Sequence, residues 1–544
     1  MTCPECGGKT VGLREGLCLD CWYGSEDRPK PVRDRFSKLN RLRELGVTPY
    51  AYSSRNTHDL VTALKEFEAL EKSSDGTNNE SHEPEASLNP EELLGVTVAG
   101  RILSYRDLGG SAFAHIGDGK GRLQILLKKN LLEATEVEVM KLLDLGDWIS
   151  VSGDIFRTRR GEVTVRVNTL TLLAKTLLPL PLGKEEVTSE GERTVHNSFQ
   201  DTESRYRQRY ADLAVNPHVR EIFRVRAQII SALRRWLDDR GFLEVETPIL
   251  QPRYGGALAR PFTTHHNTLD QRMYLRIADE LYLKRLIVGN LDRVYEIGHD
   301  FRNEGIDRTH NPEFTMLELY YAYADYEDVM ELTETMVSEV ALEVCGTTQL
   351  EYNGHQVDLA APWKRVKWAD AFEEATGLDP VQVDDDTLRT RAHDLGRTDA
   401  KKLSRVQLFD FLFSHLIEDH VVDPVLICDL PIEMSPLAKS KRGNPAYAER
   451  FEAVVCGFEL VNAFSELNDP IDQWTRFAAQ EVLREAGDED AMSIDEDYVR
   501  ALEYGLPPTG GFGMGVDRLV MLLTGETTVR EVVLFPMLRS DEGS

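Results

Sequence analysis

Charged and aromatic side chains suited to holding phosphate crowd residues 301–314, FRNEGIDRTHNPEF. Arg302 can donate two parallel hydrogen bonds to a phosphate or a carboxylate, and His310 can reach a more distant phosphate. Phe314, at the start of a predicted strand, offers a face on which a base can stack. These residues favour a phosphate-binding site. A network of surface ion pairs is the alternative interpretation.

Two carboxylates, Glu452 and Glu459, lie close together in the apolar segment FEAVVCGFEL. If two strands meet at a turn around Cys456 and Gly457, both carboxylates can project into one cleft, as the ligands of a hard cation do. Magnesium shared with a nucleotide suits this pair better than calcium. Solvated faces of two strands are the alternative interpretation.

A glycine-rich segment, GLPPTGGFGMGVDRLVMLL at 505–523, precedes and enters an apolar helix that contains Arg518. Glycine backbone allows a ligand to approach closely, and the start of a helix favours an anion. The segment has neither the lysine and hydroxyl residue of a P-loop nor the glycine spacing of a dinucleotide-binding turn. By itself it is therefore a weak indication of a site.

Four of the seven cysteines form two C-x-x-C pairs, Cys3 with Cys6 and Cys18 with Cys21. Four thiolates at this spacing suit a tetrahedral zinc ion. The segment is too short for a core of its own, so metal binding would supply its folding free energy. Such a site is closed to substrates and has no catalytic role. A redox pair or unused thiols are the alternatives.

The composition is strongly acidic: the 544 residues include 63 Lys and Arg against 92 Asp and Glu, a formal charge of -29. This argues against indiscriminate attraction to nucleic acids, so any contact with them must be local. The acidity indicates either a requirement for solubility or a salt-rich cytoplasm that screens the repulsion. The N-terminus does not resemble a secretory signal and no apolar run is long enough to span a membrane, which predicts a cytoplasmic location.

Residues 95–178 contain several short apolar or alternating runs and one helix-like segment near Leu131 to Leu145. Five strands with one helix predict a small closed barrel of the OB type. This region holds 12 Lys and Arg against 9 Asp and Glu, unlike the acidic remainder. The barrel is therefore the predicted nucleic-acid surface, because binding phosphates requires basic side chains. A merely less acidic exterior is the alternative.

The region from about Gln200 onward predicts one large α+β domain. Five segments in it are predicted to be strands of a single mixed or antiparallel sheet: LEVETPIL, MYLRIAD, RVYEIGHDF, PEFTMLELYYA and FELVNAFSEL. The predicted regions of the whole chain are a zinc ribbon at 1–30, a helical arm at 31–71, a flexible acidic linker at 72–90, the OB-fold anticodon-binding domain at 91–180, a polar loop at 181–199 and the catalytic domain at 200–544.

These segments together resemble motifs 2 and 3 of the class II aminoacyl-tRNA synthetases, and RVRAQIISALRRWLDDRGFLEVETPIL resembles motif 1. The resemblance is strongest to the bacterial-type lysyl-tRNA synthetases, and RYRQRYADL, GGALARPFTTHHN, RIADELYLKRL and SPLAK carry it further. It covers about Asp34 to Met537 apart from the two polar insertions. It implies an α+β fold with an antiparallel-sheet catalytic domain after an OB-fold barrel, here with an added zinc ribbon, and a homodimer.

The resemblance implies that lysine is activated with ATP and Mg²⁺ and then transferred to the 3′ end of tRNA(Lys). It gives catalytic roles to Arg302 and Arg518. By the same similarity, ATP binds Arg302, Glu304, His310, Asn311, Phe314, Arg518, Glu452 and Glu459, the last two through Mg²⁺. Lysine binds Gly256, Glu280, Arg302, Glu318, Tyr320, Asn462 and Glu466.

The acidic residues of this implied lysine site also make independent physical sense. Burying an ammonium costs several kcal/mol unless a carboxylate accompanies it, and a neutral amino acid would leave that carboxylate unpaired. In the barrel, the resemblance implies that Phe113 stacks on an anticodon base and that Gln124 hydrogen-bonds to a base edge. The alternative for Phe113 is core packing.

The chain departs from the usual family pattern at a few positions, none of which replaces an implied site residue. Asp279 stands where proline is common, Ala463 where glycine is common, and His299 and Asp300 form an unusual pair. The zinc ribbon and the two polar insertions also lie outside the common pattern, so the resemblance implies no function for them.

Three other activities compete with this interpretation. An enzyme that charges aspartate or asparagine would need a cation for the substrate side chain, where this chain places Glu318 and Glu466. A lysyltransferase that acts on a protein belongs to paralogues without an anticodon barrel. A catalytically silent nucleic-acid-binding regulator would not need the complete set of Arg302, Arg518 and the two carboxylates of the implied magnesium site.

Overall fold

The computed structural model describes residues 2–9, 12, 14, 15, 17–74, 94–187, 193–196, 199–485, 492 and 494–539. The chain divides into two compact units, Met1–Gln200 and Asp201–Ser544. Each unit has hydrophobic clusters of its own. In the part of the chain that the structure describes, no helix has both the length and the apolar character needed to cross a membrane.

The first unit is built around a five-stranded barrel. Its elements are helices α1 (Leu19–Gly24), α2 (Lys30–Glu44), α3 (Leu60–Ser74) and α4 (Ala134–Leu142), and strands β1 (Gly95–Asp107), β2 (Ser111–Gly117), β3 (Arg122–Lys128), β4 (Trp148–Arg157), β5 (Val163–Ala174), β6 (Lys184–Val187) and β7 (Arg193–His196). The barrel closes in the order β1-β2-β3-β5-β4. The predicted OB barrel with a single helix is confirmed.

Alternation of buried and less buried residues along the barrel strands explains the closure. Val96 and Val98 of β1 point into the barrel, as do Ala112 and Ala114 of β2, because side chains alternate across a strand. Phe67 of α3 joins the same hydrophobic cluster. The cluster fills the barrel and leaves the other side chains of these strands on its outer face.

The two polar segments differ from their sequence interpretation where the structure describes them. Helix α3 continues through Ser74, so the first three residues of the predicted linker at 72–90 are helical. The rest of that linker lies outside the described residues. The predicted polar loop at 181–199 includes β6 and β7, which pair antiparallel. Local hydrogen bonding between these two short strands gives order that polar composition did not indicate.

The second unit is an α+β domain, as predicted. Its helices are α5 (Thr202–Arg207), α6 (Arg209–Val215), α7 (Pro217–Asp238), α8 (Glu280–Val288), α9 (Tyr326–Cys345), α10 (Trp368–Thr376), α11 (Asp385–Asp394), α12 (Arg405–Leu416), α13 (Pro470–Glu485), α14 (Glu496–Glu503), α15 (Val516–Thr524) and α16 (Val529–Val532). Its strands are β8 (Leu243–Glu244), β9 (Leu250–Gln251), β10 (Thr263–His266), β11 (Gln271–Leu275), β12 (Arg293–Phe301), β13 (Glu313–Ala322), β14 (Gln349–Tyr352), β15 (His355–Asp358), β16 (Lys364–Lys367), β17 (Val425–Cys428), β18 (Arg450–Val455), β19 (Phe458–Ser465) and β20 (Thr509–Gly515).

An eight-stranded sheet in the order β16-β17-β18-β19-β20-β13-β12-β8 forms the centre of this unit. The pairs at its two edges, β16 with β17 and β12 with β8, are parallel, and the pairs between them are antiparallel. Helices α7, α9 and α15 contact one another or the sheet around one hydrophobic cluster. The sheet therefore has one face buried against helices.

Strand β13 separates that core from a polar face. Leu317 and Leu319 point into the core. Glu318 and Tyr320 point to the opposite face, because alternate side chains of a strand lie on opposite sides of a sheet. Strand β19 follows the same pattern and places Asn462 on the polar face. The sheet thus presents a row of polar side chains away from its helical cover.

One part of the predicted sheet is wrong. Strand β11, from MYLRIAD, pairs with β10 and β9 in a separate three-stranded sheet, and LEVETPIL contributes to both sheets. The backbone N–H of Thr247 donates to the side chain of Glu296 at 3.0 Å instead of to a strand. Pro248 has no N–H to donate. Pairing of this segment with β12 therefore stops, and the chain crosses to the small sheet.

Candidate active site

The polar face of the large sheet lines a cavity of about 420 Å³. Its walls come from β13, β19, β20, the start of α8, the loop between β12 and β13, and the start of α15. Twelve of the residues predicted to bind ATP or lysine line it: Gly256, Glu280, Arg302, Glu304, His310, Asn311, Phe314, Glu318, Tyr320, Glu459, Asn462 and Arg518. The structure therefore brings together segments that lie far apart in the sequence.

The loop between β12 and β13 carries Arg302 at one wall of the cavity. Its backbone N–H donates to the carbonyl of Pro312 at 2.9 Å, which closes the base of the loop. The guanidinium carbon lies 5.2 Å from the centroid of the Phe314 ring. Within the described residues the buried Nε of Arg302 has no hydrogen-bond partner. A buried donor of this kind is available to an anionic ligand.

His310 and Arg518 meet at the same end of the cavity. Nδ1 of His310 lies 2.9 Å from Oδ2 of Asp307, and its Nε2 lies 3.4 Å from Nη2 of Arg518. Arg518 also donates to the backbone carbonyl of Glu459 at 2.5 Å. Asn311 donates to the carbonyl of Glu313 at 2.6 Å. These contacts hold cationic and polar groups around one space, as a polyphosphate requires.

The two predicted magnesium ligands lie on a hairpin, as the sequence indicated. Strands β18 and β19 join through Cys456 and Gly457, both with positive φ, which is the conformation of a tight two-residue hairpin turn. Glu459 lines the cavity. Glu452 lies behind it and accepts a hydrogen bond from Nη2 of Arg450 at 2.6 Å.

Glu452 is not a solvated strand residue, since only 16% of its side chain is exposed. Burial raises the pKa of Glu452 to about 8, and the nearby carboxylates of Glu459, Glu418 and Asp410 add to the effect, whereas Arg450 opposes it. Several carboxylates that repel one another at a cavity wall favour a bound cation. The residues present therefore fit a divalent metal.

Buried acids lie at the opposite end of the cavity, where Glu280 and Glu318 line its wall and Glu466 is close by. Glu280, Glu318 and Glu466 are 6%, 6% and 1% exposed. Burial raises the pKa of each carboxyl group, and the effect is largest for Glu318 and Glu466. The hydroxyl of Tyr320 donates to Glu318 at 3.2 Å. Such a concentration of buried acids favours a ligand that brings positive charge.

Comparison with known proteins identifies the family. Residues 201–539 match the family described as "tRNA synthetases class II (D, K and N)", and residues 96–173 match "OB-fold nucleic acid binding domain". A lysine–tRNA ligase of Thermoanaerobacter pseudethanolicus is 46% identical over 521 residues, which cover 95% of this chain and 98% of the relative. The chain belongs to the lysine–tRNA ligases of class II.

Two further relatives agree with this assignment. A lysine–tRNA ligase of Carboxydothermus hydrogenoformans is 45% identical over 509 residues, covering 93% of this chain and 98% of the relative. A lysine–tRNA ligase of Moorella thermoacetica is 46% identical over 509 residues, covering 93% of this chain and 97% of the relative. The predicted family, fold class and enzyme class are confirmed.

Two glycines of this class II synthetase permit close approaches in the acidic pocket. Gly256 has φ +92°, and a Cβ there would lie 3.0 Å from Cβ of Ala278 and 3.2 Å from Cβ of Glu280. A Cβ on Gly511 would lie 1.7 Å from Oε1 of Glu466. The glycine-rich segment forms strand β20, and the absence of a side chain at Gly511 leaves room for the carboxylate of Glu466.

The expectation that the start of the following helix favours an anionic ligand stays a prediction. Asp517 lies in the first turn of α15 and is buried. Its Oδ1 accepts from Arg226 at 2.5 Å and its Oδ2 accepts from the backbone N–H of Thr315 at 3.0 Å. The chain's own carboxylate already occupies the position that favours negative charge. Arg518, the next residue, remains at the cavity wall.

Sequence reasoning missed two cations of the synthetase site. Lys284, fully buried, binds Glu280 at 2.5 Å and also forms an ion pair with Glu466. Arg450 donates through Nε to Oδ1 of Asn462 at 2.9 Å, besides its hydrogen bond to Glu452. Their spacing in the sequence could have revealed them. Lys284 follows Glu280 by four residues on a helix, and Arg450 precedes Glu452 by two residues on a strand, so each pair shares a face.

Glu466 does not line the cavity directly.

Asp279 and Asp300, two of the departures from the family pattern, lie close to the acidic pocket. Arg276 is buried and contacts Asp279 at 2.7 Å, Glu296 at 2.6 Å and Asp300 at 3.2 Å. Burial, with the neighbouring carboxylates, raises the pKa of Asp279 to about 10. The carboxyl group of Asp279 therefore holds a proton more tightly than that of a solvent-exposed aspartate.

The barrel places Phe113 and Gln124 on its outer face. Phe113 is half-buried and alternates with the buried Ala112 and Ala114, so its ring does not belong to the barrel core. Gln124 donates to Glu162 at 2.6 Å and accepts from Thr164 at 2.8 Å. Phe113 is thus not part of the barrel core. Phe113 lies on β2 and Gln124 on the neighbouring strand β3, so both residues share one outer surface of the barrel.

The four N-terminal cysteines converge. One ligand atom from each of Cys3, Cys6, Cys18 and Cys21 lies within 4.8 Å of the others. The backbone N–H of Cys18 donates to the Cys3 sulfur at 3.3 Å. Backbone N–H groups of Cys18 and Cys6 lower the pKa of Cys3 to about 6. The predicted cluster is confirmed, and its sulfur ligands and spacing fit a tetrahedral metal.

Proposed function

We propose that this chain activates L-lysine with ATP and transfers the lysyl group to tRNA(Lys). The observation that supports this most directly is one cavity with acids at one end and arginine, histidine and an aromatic ring at the other. The acidic end accepts the side-chain ammonium of lysine near Glu318, Tyr320 and Glu466. The other end accepts the triphosphate and the base of ATP.

In the first step, the lysine carboxylate attacks the α-phosphorus of ATP, and pyrophosphate leaves as the acyl–phosphate bond forms. The protein contributes no nucleophile, so its role is to align the reactants and stabilise the charge on the phosphate oxygens. Arg302 contacts both the α-phosphate and the lysine carboxylate, and its place in the cavity wall and its unpaired Nε support this role. Glu304, His310 and Asn311 position the rest of the triphosphate and the ribose.

The adenine stacks on Phe314, and Arg518 covers its other face. Both residues line the cavity. Glu452 and Glu459 hold Mg²⁺, which when bound offsets the charge of the phosphates and of the leaving pyrophosphate. Arg450 then keeps Glu452 aimed at the cavity through their hydrogen bond.

At the amino-acid end, Gly256 and Glu280 receive the α-amino group and Asn462 receives the carboxylate. In the second step, a terminal ribose hydroxyl of tRNA attacks the lysyl carbonyl, and AMP leaves. The barrel contributes recognition of the anticodon, with a base stacked on Phe113 and a base edge bound to Gln124.

The cysteine cluster holds a structural zinc ion that stabilises the N-terminal segment, a role supported by the convergence of its four sulfur atoms. Assembly and location follow the family. The enzyme acts in the cytoplasm as a homodimer, with motif 1 at the two-fold axis. The presence of a barrel with a half-buried aromatic ring on its outer face favours tRNA over a protein as the acceptor of lysine.

The proposal is tested by amino-acid-dependent exchange of pyrophosphate into ATP, with each of the twenty amino acids offered to the purified protein. We expect exchange with lysine and at most background exchange with aspartate and asparagine. Charging of tRNA(Lys) and of a protein acceptor is then compared with the same enzyme. Equal or greater exchange with aspartate, or lysine transfer to protein but not to tRNA, would overturn the proposal.

A further inference from the structure

The buried ammonium of Lys284 lies between two of the acids that line or back the lysine pocket. Its Nζ is 2.5 Å from Oε1 of Glu280 and forms an ion pair with Oε2 of Glu466. The side chain is fully buried. The rings of Phe464, Tyr320 and Tyr498 surround the ammonium at 5.4, 5.9 and 5.9 Å from their centroids. Helix α8 and these rings hold it in place.

Stability alone does not account for this arrangement. A buried ion pair often contributes no more to folding than apolar residues of the same volume, because desolvation of the charges offsets their attraction. Here one ammonium serves two carboxylates, while the third, Glu318, is bound by a tyrosine hydroxyl and by the backbone N–H of Asp279 at 3.4 Å. The pocket therefore keeps more negative than positive charge.

The charge of the pocket matches free lysine. Three carboxylates, Glu280, Glu318 and Glu466, and one ammonium leave two negative charges uncompensated. Lysine brings an ammonium at each end, and its own carboxylate is met separately by Arg302. Amino acids with a single ammonium would leave one carboxylate buried and unpaired, which costs several kcal/mol.

We propose that Lys284 is a positioning residue for lysine recognition, which holds Glu280 and Glu466 as carboxylates aimed at the two ammonium groups of the substrate. This inference rests on the proposed function. The charge of Lys284 lowers the pKa of both Glu280 and Glu466 against the larger effect of burial, which raises them. Without Lys284, these carboxyl groups would be protonated over more of the neutral range.

The groups that surround this ammonium and its partners come from several elements: Asp279 and Glu280 at the start of α8, Asp300 on β12, Glu318 and Tyr320 on β13, Arg450 on β18, Glu466 after β19, and Tyr498 on α14. Among them, Lys284 and Arg450 are the two that lower the pKa of Glu280. Arg450 is also engaged by Asn462 and the magnesium-site carboxylate. Lys284 is therefore the cation whose removal changes the lysine end of the pocket most directly.

The test uses the full-length enzyme and three variants: Lys284→Met, Glu280→Gln and the double variant. The KM values for lysine and ATP are measured by pyrophosphate exchange from about pH 6 to pH 8, and lysine binding is measured independently as a shift in Tm. For Lys284→Met we expect the KM for lysine to rise about tenfold at neutral pH, with a KM for ATP changed less than about twofold. The rise should shrink toward higher pH as the carboxyl groups ionise.

The double variant tests whether Lys284 acts through the carboxylates that it contacts. In the Glu280→Gln background Lys284 still holds Glu466 but no longer holds Glu280. We expect loss of Lys284 to raise the lysine KM in this background at neutral pH, by a smaller factor than in the natural enzyme. If Lys284→Met by itself fails to fold, the lysine KM of the double variant compared with that of Glu280→Gln still tests the role of Lys284.

Three results would overturn the inference: a lysine KM in Lys284→Met that is unchanged or improved, a rise that is independent of pH and shared by ATP, or a double variant whose lysine KM is no higher than that of Glu280→Gln. Failure of the proposed function is distinguishable from each of these. In that case the natural enzyme itself would show no lysine-dependent exchange.

Discussion

The catalytic cavity and the outer face of the barrel use similar polar residues in opposite surroundings. In the cavity, Glu318 and Glu466 are almost completely buried, and their charges are set by the few groups that touch them. On the barrel, Gln124 is half-buried and hydrogen-bonds to Glu162 at the surface. A buried carboxylate that loses its partner has no water to replace it, whereas a surface amide does.

Selectivity should therefore depend more on the cavity than on the barrel. A substitution in the cavity changes the free energy of substrate binding by the cost of an unpaired buried charge. A substitution on the barrel changes it by one stacked base or one hydrogen bond.

Substitution of Glu466 by Gln should lower kcat/KM for lysine about a hundredfold or more, because leaving a buried charge without its partner costs about 2–5 kcal/mol. The KM for ATP should change little, since Glu466 lies at the acidic end. Steady-state pyrophosphate exchange measures both constants. A loss below about threefold would show that burial is not what makes this end of the cavity selective.

Substitution of Gly511 by Ala should lower kcat/KM for lysine about tenfold, because the new methyl group would overlap Oε1 of Glu466 and force the carboxylate to move. Gly513→Ala is the matched control on the same strand. A Cβ there has its closest neighbour, the terminal carbon of the flexible Met316 side chain, at 3.4 Å. Equal effects of the two changes would contradict the assigned role of Gly511.

Substitution of Phe113 by Ala should raise the KM for tRNA about tenfold, because stacking on one base contributes about 1–3 kcal/mol. The KM for lysine should change less than about twofold, since the barrel and the cavity bind different substrates. Aminoacylation at varied tRNA concentration measures the first constant, and pyrophosphate exchange measures the second. An unchanged KM for tRNA would remove Phe113 from the recognition surface.

Substitution of Asp300 by Asn should stabilise the protein slightly above pH 6 and less below it. Burial, opposed by Arg276, raises the pKa of Asp300 from 3.8 to about 6. The folded state thus holds the proton of Asp300 more tightly than the unfolded chain does. The natural protein therefore loses free energy of unfolding as the pH rises from about 4 to about 6. We expect Tm to rise by about 2 °C near pH 7.5, with a smaller difference near pH 4.5. A difference that grows toward acidic pH would reverse the assignment.

Removal of the N-terminal metal should affect catalysis least. Cys18→Ser is expected to abolish bound zinc, measured by atomic emission, while lysine-dependent exchange stays within about twofold, because a closed structural site offers no position to a substrate. Charging of tRNA is measured in parallel. Loss of exchange would mean that the cysteine segment supports the catalytic unit.

Much of the fold could be predicted from the sequence because its signals are local. The alternation along β1 and β13 and the glycine turn between β18 and β19 each depend on adjacent residues. The division of LEVETPIL between two sheets was not predictable in this way. It depends on Glu296, a distant side chain that binds the backbone of Thr247.

The site shows the same limit. Motif residues such as Arg302 and Glu466 stood out by type and spacing, whereas Lys284 resembled any basic residue on an amphipathic helix. Its role becomes visible only when α8 is packed against the segment that carries Glu466. Asp517 at the start of α15 was hidden for the same reason, since its partners Arg226 and Thr315 lie hundreds of positions earlier.

The alternation along β13 has a consequence for how this enzyme family diversifies. In the proposed lysine pocket, replacing Glu318 or Tyr320 would change the choice of amino acid without disturbing Leu317 and Leu319 in the core. Inserting a single residue in this strand would exchange the two rows and place leucines at the proposed lysine site. The fold therefore allows residues that face the pocket to be replaced, whereas it does not allow a one-residue change in the length of the strand.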